Sequence, residues 1–304
     1  MPASSAGRTN LPRDSQAPAG LVQPLVQLGP WHLVRPLGEG NLCRVYQARP
    51  AEGAADRPAG YALKALKEQW QQDAAAIEIM RREAIVGRKV SHPHLISILA
   101  AHVGAAPYFV VMPLLAGATL EETLADGKRT PLPMALWIVR QAAEALDALH
   151  QAGWMHADVK PSNIFVAASG HVTLLDLGFA RRPEEGGSAV DRSVCGTVRY
   201  IAPEMVTSAL RPDIRSDIYS LGVTLYELLA GRTPFEGDDL ASLAEQHRQS
   251  EPPELRTLAP QLPLAVARLV HRMLAKEPLR RPQTPRELIE RLTALEIETF
   301  AERS

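Results

Sequence analysis

The chain has 304 residues with 33 basic and 34 acidic side chains, a net charge of −1. It is long enough for one large domain or two modest ones, and its balanced charge excludes the broad basic field that holds nucleic acid. Two cysteines, Cys43 and Cys195, make no disulfide framework and suit a reducing, cytoplasmic setting.

The opening stretch, "MPASSAGRTNLPRDSQAPAG", is rich in Pro, Ser and Ala and lacks the continuous apolar core of a signal peptide. Residues 1–29 therefore read as a disordered tail. From Trp31 onward, "WHLVRPL", "CRVYQA" and "YALKAL" predict three strands, with a Pro/Gly/Asp loop, "RPAEGAADRPAG", before the third. "DAAAIEIMRREAIVGRKV" predicts a helix with Asp73 as its N-cap. Residues 95–120 carry no formal charge, but His102, Gly104, Pro107 and Pro113 interrupt them. Two buried strands, around "LISILAAHVG" and "YFVVMPLL", are expected there rather than a membrane span.

After Gly117 the pattern turns helical. "PMALWIVRQAAEALDALHQAG" places Ile138, Ala142, Ala145, Leu146 and Leu149 on one stripe and stops at Gly153. "SDIYSLGVTLYELLAG" is apolar nearly all round and predicts a buried helix; helices continue through "LAVARLVHRMLAKE" and "PRELIERLTALEIE". The expected class is α+β with two lobes: a small β-rich one over about 30–114, a connection over about 113–117 and a larger, mainly helical one over about 118–300.

Three stretches carry chemistry. "LGEGNLCRVYQA" supplies Gly38 and Gly40 between two strands, where backbone N–H groups can approach a polyphosphate; an ordinary hairpin turn has the same look. Lys64 sits in an apolar strand, on the same face as Ala62 by alternation, and Glu83 on the following helix is its natural counter-ion, with Glu78 and Glu68 as competitors. In "GWMHADVKPSNIFVAASGHVTLLD" a hairpin centred on Ser169–Gly170 would set Asn163 opposite Asp176 at its open end. An amide and a carboxylate there suit Mg²⁺ bound together with phosphates, and Asp158 is placed to accept a hydroxyl proton.

In this order, "LGEGNLCRVY", "YALK", "RREAIVGRKVSHPHL", "HADVKPSN", "DLG", "GTVRYIAPE", "SDIYSLG" and "RRP" resemble the eukaryotic-type (Hanks-type) Ser/Thr protein kinases, particularly those of bacteria. The resemblance implies ATP- and Mg²⁺-dependent transfer of the γ-phosphoryl group to protein Ser/Thr hydroxyls, with autophosphorylation and with Mn²⁺ as the alternative ion. It implies that Leu37, Gly38, Glu39 and Gly40 cover the phosphates and that Lys64, paired with Glu83, contacts them. Asp158 would be the catalytic base, Lys160 would steady the γ-phosphate, and Asn163 and Asp176 would hold metal. Thr197 would hydrogen-bond Asp158 and Lys160. Val45 and Ala62 would roof the adenine pocket, Phe165 would floor it, Met112 would be its gatekeeper, and Pro113 C=O and Leu115 N–H would meet the adenine. His156 would pack behind the metal turn, and Glu204 would pair with Arg281.

Departures from the family pattern bear on activity and control. Cys43 replaces the third glycine of the phosphate loop, which is expected to loosen that lid, and Leu177 replaces a phenylalanine. Ser162 stands where arginine-directed kinases carry an acid. Ala157 replaces the arginine that normally receives an activation-loop phosphate, so phosphorylation at Ser188 or Ser193 is expected to matter little. Cys195 is either a small packed residue or a redox handle. A scaffold without phosphotransfer, a pseudokinase, is the alternative that Cys43 and Ala157 favour.

Overall fold

A computed structural model describes residues 26–52, 58–183, 185, 197–206, 211–237 and 239–301. The first lobe is an antiparallel sheet of β1 (Val26–Leu28), β2 (Trp31–Glu39), β3 (Cys43–Pro50), β4 (Tyr61–Leu66), β5 (Ala100–His102) and β6 (Phe109–Pro113), in the spatial order β1-β2-β3-β4-β6-β5. The expected strands are present. The tail, however, does not run unstructured to residue 29: Val26–Leu28 pairs with Trp31–Leu33 across the turn at Gly29. Residues 1–25 of that tail lie outside the described residues.

Alternation divides the sheet into two apolar faces. Leu33, Ala48, Leu63, Phe109 and Val111 cluster on the outer face. On the other, Cys43, Leu66 and Val110 pack against Ala76, Met80 and Ala84 of helix α1 (Ala74–Lys89). Asp73 caps α1 as the sequence predicts, its side chain accepting the Ala76 N–H at 2.8 Å. The cap fixes where α1 starts, and so places Glu83 in its third turn beneath β4.

A second antiparallel sheet, β7 (Gly117–Thr119), β8 (Ile164–Ala167) and β9 (Val172–Leu174), lies where the two lobes meet. Helices α2 (Leu120–Leu124), α3 (Leu132–Gln151), α4 (Pro203–Val206), α5 (Ile214–Ala230), α6 (Leu240–Gln249), α7 (Leu255–Leu258), α8 (Leu264–Met273) and α9 (Pro285–Ala301) build the second lobe. The predicted stripe of α3 is buried throughout, and α5 is enclosed on nearly every side. No helix among the described residues is long and apolar enough to cross a membrane.

The β8–β9 hairpin departs from expectation by one residue. Ile164 pairs with Leu174 and Phe165 with Thr173, around a three-residue loop, Ala168–Gly170, rather than a two-residue turn. Gly170 N–H donates to Ala167 C=O at 2.9 Å and Gly170 adopts φ 80°, the turn-plus-left-handed-residue arrangement of three-residue hairpins. Helix α3 enforces it: Trp137 Nε1 and Gln141 Nε2 donate to Gly170 C=O at 2.9 and 3.0 Å, while Gln141 Oε1 accepts the Val172 N–H. Asn163 therefore faces Leu175, at 2.8 Å between Leu175 N and Asn163 O, and Asp176 lies one residue beyond the pairing.

The second lobe closes on a buried ion pair. Arg281 and Glu204 are almost fully enclosed and bind in a bidentate fork at 2.6 and 2.8 Å. Ala275, Arg215 and Lys276 carbonyls accept the remaining guanidinium protons, and Ser216 Oγ donates to Glu204. Arg281→Ala strands the Glu204 charge and is expected to lower stability by about 3–5 kcal/mol in urea unfolding, whereas an Arg281→Met, Glu204→Leu double variant should lose clearly less.

Candidate active site

The cleft side of the first sheet carries Val45, Ala62, Lys64 and Met112 on one face, with Val45 opposite Lys64 and Ala62 opposite Met112. Lys64 Nζ lies 2.8 Å from Glu83 Oε2 and 2.9 Å from Asp176 Oδ1, so one ammonium joins β4, α1 and the end of the hairpin. Of the three carboxylates weighed against each other in sequence, Glu83 is the partner. Burial disfavours the Lys64 charge, but Asp176 and Glu83 outweigh it and hold its pKa well above the ordinary lysine range. Burial pushes Glu83 up to about 7 against the pull of Lys64. Asp176 is also penalised by burial, yet the charge and hydrogen bond of Lys64 keep it below the usual carboxylate range.

Asp176 owes its position to the backbone. Its φ is 59°, and its Oδ1 accepts the Gly178 N–H at 3.3 Å, a local turn that Asp tolerates in the left-handed region. Gly178 is needed for close approach, since a Cβ there would meet Ile79 Cγ2 of α1 at 2.6 Å. Leu177 between them is fully buried in the large-lobe core.

The second cluster is the loop after α3. Lys160 Nζ lies 2.9 Å from Asp158 Oδ2, and Asn163 Nδ2 donates to Asp158 O and Oδ2 at 2.8 and 2.9 Å. Both acceptors are oxygens, so the amide nitrogen faces Asp158 and its oxygen is the atom on offer to a cation. The Lys160 charge also acts on Asp176, which ties the two clusters together. Two oxygen donors, one of them an ionised carboxylate, fit a hard divalent ion whose remaining ligands are phosphates and water. Among the described residues no group of three His, Cys, Asp or Glu side chains forms a self-sufficient metal site.

The sequence reading gave no role to Asp217, which positions this loop. Asp217, buried in the first turn of α5, accepts the N–H groups of His156 and Ala157 at 2.7 Å each. Ala157 takes φ 66°, a left-handed conformation costing about 1–2 kcal/mol, which two charge-assisted hydrogen bonds of ~1.5–3 kcal/mol each outweigh. His156 Nε2 donates to Leu175 C=O at 2.9 Å, and its Nδ1 accepts the Asp158 N–H at 3.2 Å. The ring thus sits between the Asp158 loop and the strand end that leads to Asp176. The available signal for Asp217 is a carboxylate near the start of a mostly apolar helix.

Other nominated residues occupy mixed positions. Gly38 pairs with Val45, and Gly40 N–H donates to Cys43 C=O at 2.9 Å, closing the glycine turn. The Glu39 carboxylate is engaged by Arg44 and Lys67 at 2.9 and 2.6 Å on the outer face. Leu37 is partly exposed at an irregularity of β2. Cys43 packs in the core beneath the sheet, where burial pushes its thiol up to about 12. Pro113 ends β6 opposite Tyr61, Leu115 packs against the large-lobe core, and Phe165 lies opposite Thr119 beside Gly117. Thr197 opens the 3-10 turn Thr197–Tyr200, but its side chain, with Ser188, Ser193 and Cys195, lies outside the described residues. Arg82, next to Glu83, reaches Glu185 at 3.2 Å.

Residues 31–292 match the model of the protein kinase domain. The chain belongs to the protein kinase family. It is 33% identical over 261 residues to the Ser/Thr-protein kinase PrkC of Bacillus subtilis, covering 86% of this chain and 39% of that protein. It is 34% identical over 259 residues to PknB of Mycobacterium tuberculosis strain H37Ra (83% and 40%) and 35% identical over 257 residues to PknD of strain H37Rv (84% and 38%). These relatives are bacterial Ser/Thr kinases, and the chain spans about two fifths of their length. ATP and a divalent metal are general requirements of the family.

Asp217→Ala should release the loop after α3 without touching its side chains. Exchange of the His156 and Ala157 amides, followed by mass spectrometry or NMR, is expected to accelerate by about 10²-fold or more while α1 and β4 keep their protection.

Proposed function

We propose that this protein transfers the γ-phosphoryl group of ATP to Ser/Thr hydroxyls of proteins, itself included, with Mg²⁺ (or Mn²⁺) held by Asn163 and Asp176. The observation that carries this reading is the convergence of Lys64–Glu83–Asp176 from one side and Asp158–Lys160–Asn163 from the other. Bound ATP and its divalent ion would supply the electrophilic phosphoryl group. Lys64, fixed by Glu83, neutralises phosphate charge. Asp158, oriented by Lys160 and Asn163, accepts the proton of the attacking hydroxyl, and Lys160 offsets charge on the transferred group. Nearly all the catalysis so arranged is positioning and electrostatics.

The glycine turn and the face bearing Val45, Ala62 and Met112, with Phe165 below, supply the nucleotide pocket, and Pro113 and Leu115 its backbone contacts. Lys160 with Thr197 supports Ser/Thr over Tyr substrates. The scaffold reading loses its sequence support: Cys43 turns into the core rather than onto the phosphates, and Ala157 meets the loop's backbone requirement.

Wild-type protein with radiolabelled ATP and Mg²⁺ is expected to label itself or a generic basic protein. Asp158→Asn or Lys64→Ala should remove that labelling, with circular dichroism unchanged. Labelling that persists undiminished in both variants excludes the assignment. A Ser188→Ala, Ser193→Ala double variant is expected to keep at least about half of wild-type activity, because no arginine stands at position 157 to read their phosphorylation.

A further inference from the structure

Helix α6 is polar over most of its length and buries Leu243 and His247, one turn apart. His247 is 0% exposed. A buried imidazole needs partners on both nitrogens, and this one has them: the Tyr219 hydroxyl 2.9 Å from Nδ1 and the Arg199 carbonyl 2.9 Å from Nε2. A carbonyl oxygen only accepts, so Nε2 carries the proton and Nδ1 accepts from Tyr219. The ring is neutral and fixed in one tautomer; burial and the nearby Lys276 charge push its pKa down to about 4. Phe235 and Tyr219 stand edge-on to it, with centroids 4.9 and 5.8 Å away. Lys276 Nζ donates to the His247 carbonyl at 2.8 Å and lies 4.2 Å over the Phe235 ring.

Arg199 belongs to the Thr197–Tyr200 turn, within the "GTVRYIAPE" segment, and Tyr200, Ile201 and Ala202 of that segment line one small cavity with Asp158. The next residue, Tyr200, donates to Glu227 of α5 at 2.8 Å. Tyr219 also lies under the Arg281 guanidinium, 4.8 Å from its ring centre, and Arg281 grips Glu204. One α5 tyrosine therefore fastens the segment at two points, Arg199 through His247 and Glu204 through Arg281.

We propose that His247 is a positioning residue for the protein substrate: its Nε2–H holds the Arg199 carbonyl and sets the Thr197–Tyr200 turn at a fixed place relative to Asp158. The proposal rests on the phosphotransfer reading above. Tyr219, Arg199 and Lys276, through which His247 acts, are separate from Lys64, Glu83 and Asp176, so nucleotide binding is independent of it.

His247→Phe keeps a ring of similar size and removes both hydrogen bonds, while His247→Gln restores a donor. The Phe variant is expected to raise KM for a protein substrate about tenfold, the loss of the hydrogen bond that holds the Arg199 carbonyl, and to leave KM for ATP within about twofold. Amide exchange across 197–206 should quicken in the Phe variant and recover in the Gln variant. NMR of the wild-type ring nitrogens should report a neutral, Nε2-protonated imidazole at pH 6. Unchanged protein KM and exchange in His247→Phe, a parallel rise in KM for ATP, or an Nδ1-protonated or charged ring would each overturn the proposal. If His247→Phe does not fold, the Gln variant and the tautomer measurement decide it. If wild-type protein transfers no phosphate, the phosphotransfer reading falls, while exchange and tautomer still report on the His247–Arg199 contact.

Discussion

Asp217 accepts two consecutive amide protons, from His156 and Ala157, and the geometry of the loop that carries Asp158 follows from that contact. Two adjacent N–H groups can aim at one carboxylate only if the chain turns sharply between them, and the left-handed Ala157 is that turn. It brings Asp158 to face Lys160 and Asn163. The constraint continues through the His156 ring, which holds Leu175 and thereby the start of the Asp176 turn. One buried carboxylate, placed at the positive end of α5, so governs both the proposed base and the proposed metal ligand.

Two carboxylate–cation pairs show how enclosure separates structural from chemical duty. Arg281–Glu204 is sealed, and neighbouring carbonyls and a serine hydroxyl saturate it. Such a pair gains little from any further partner and serves to hold two segments in one arrangement. Lys64 is shared between two carboxylates, and Asp176 keeps 31% of its side chain exposed. An open, acid-rich cluster around one ammonium can rearrange when phosphate and metal charges arrive. The strong opposing pulls of burial and charge on Glu83 and Asp176 are the electrostatic mark of that readiness.

Much of this was legible in the residues. Strand alternation gave the shared face of Ala62 and Lys64, a cap residue gave the start of α1, and motif order gave the family. What escaped was set at long range. The hairpin register differs by one because Trp137 and Gln141, 33 and 29 residues away, bind the Gly170 carbonyl, and a local turn rule has no access to them. Asp217 gives no signal in a helix read by its apolar residues, and His247 gives none in α6, which is polar over most of its length. Their roles appear only when α5 and α6 are packed against loops distant in sequence. Glu39 was nominated with its glycine neighbours, yet alternation sends its side chain to Arg44 and Lys67 on the outer face.

Ala157 separates two functions that one position usually combines. The backbone function, a left-handed turn whose N–H meets Asp217, asks nothing of the side chain except small strain, and alanine supplies it. The side-chain function, gripping a phosphate, is absent, and Ala157 instead lines a small cavity with Asp158, Tyr200, Ile201, Met205 and Asp217. A methyl side chain responds neither to phosphate nor to salt. The Arg82–Glu185 contact does respond to salt, but with both partners about a third exposed it contributes only ~0–1 kcal/mol. The described part of the segment from Thr197 to Val206 is held from below by buried groups, Arg281 on Glu204 and His247 on Arg199, rather than by a surface ion pair.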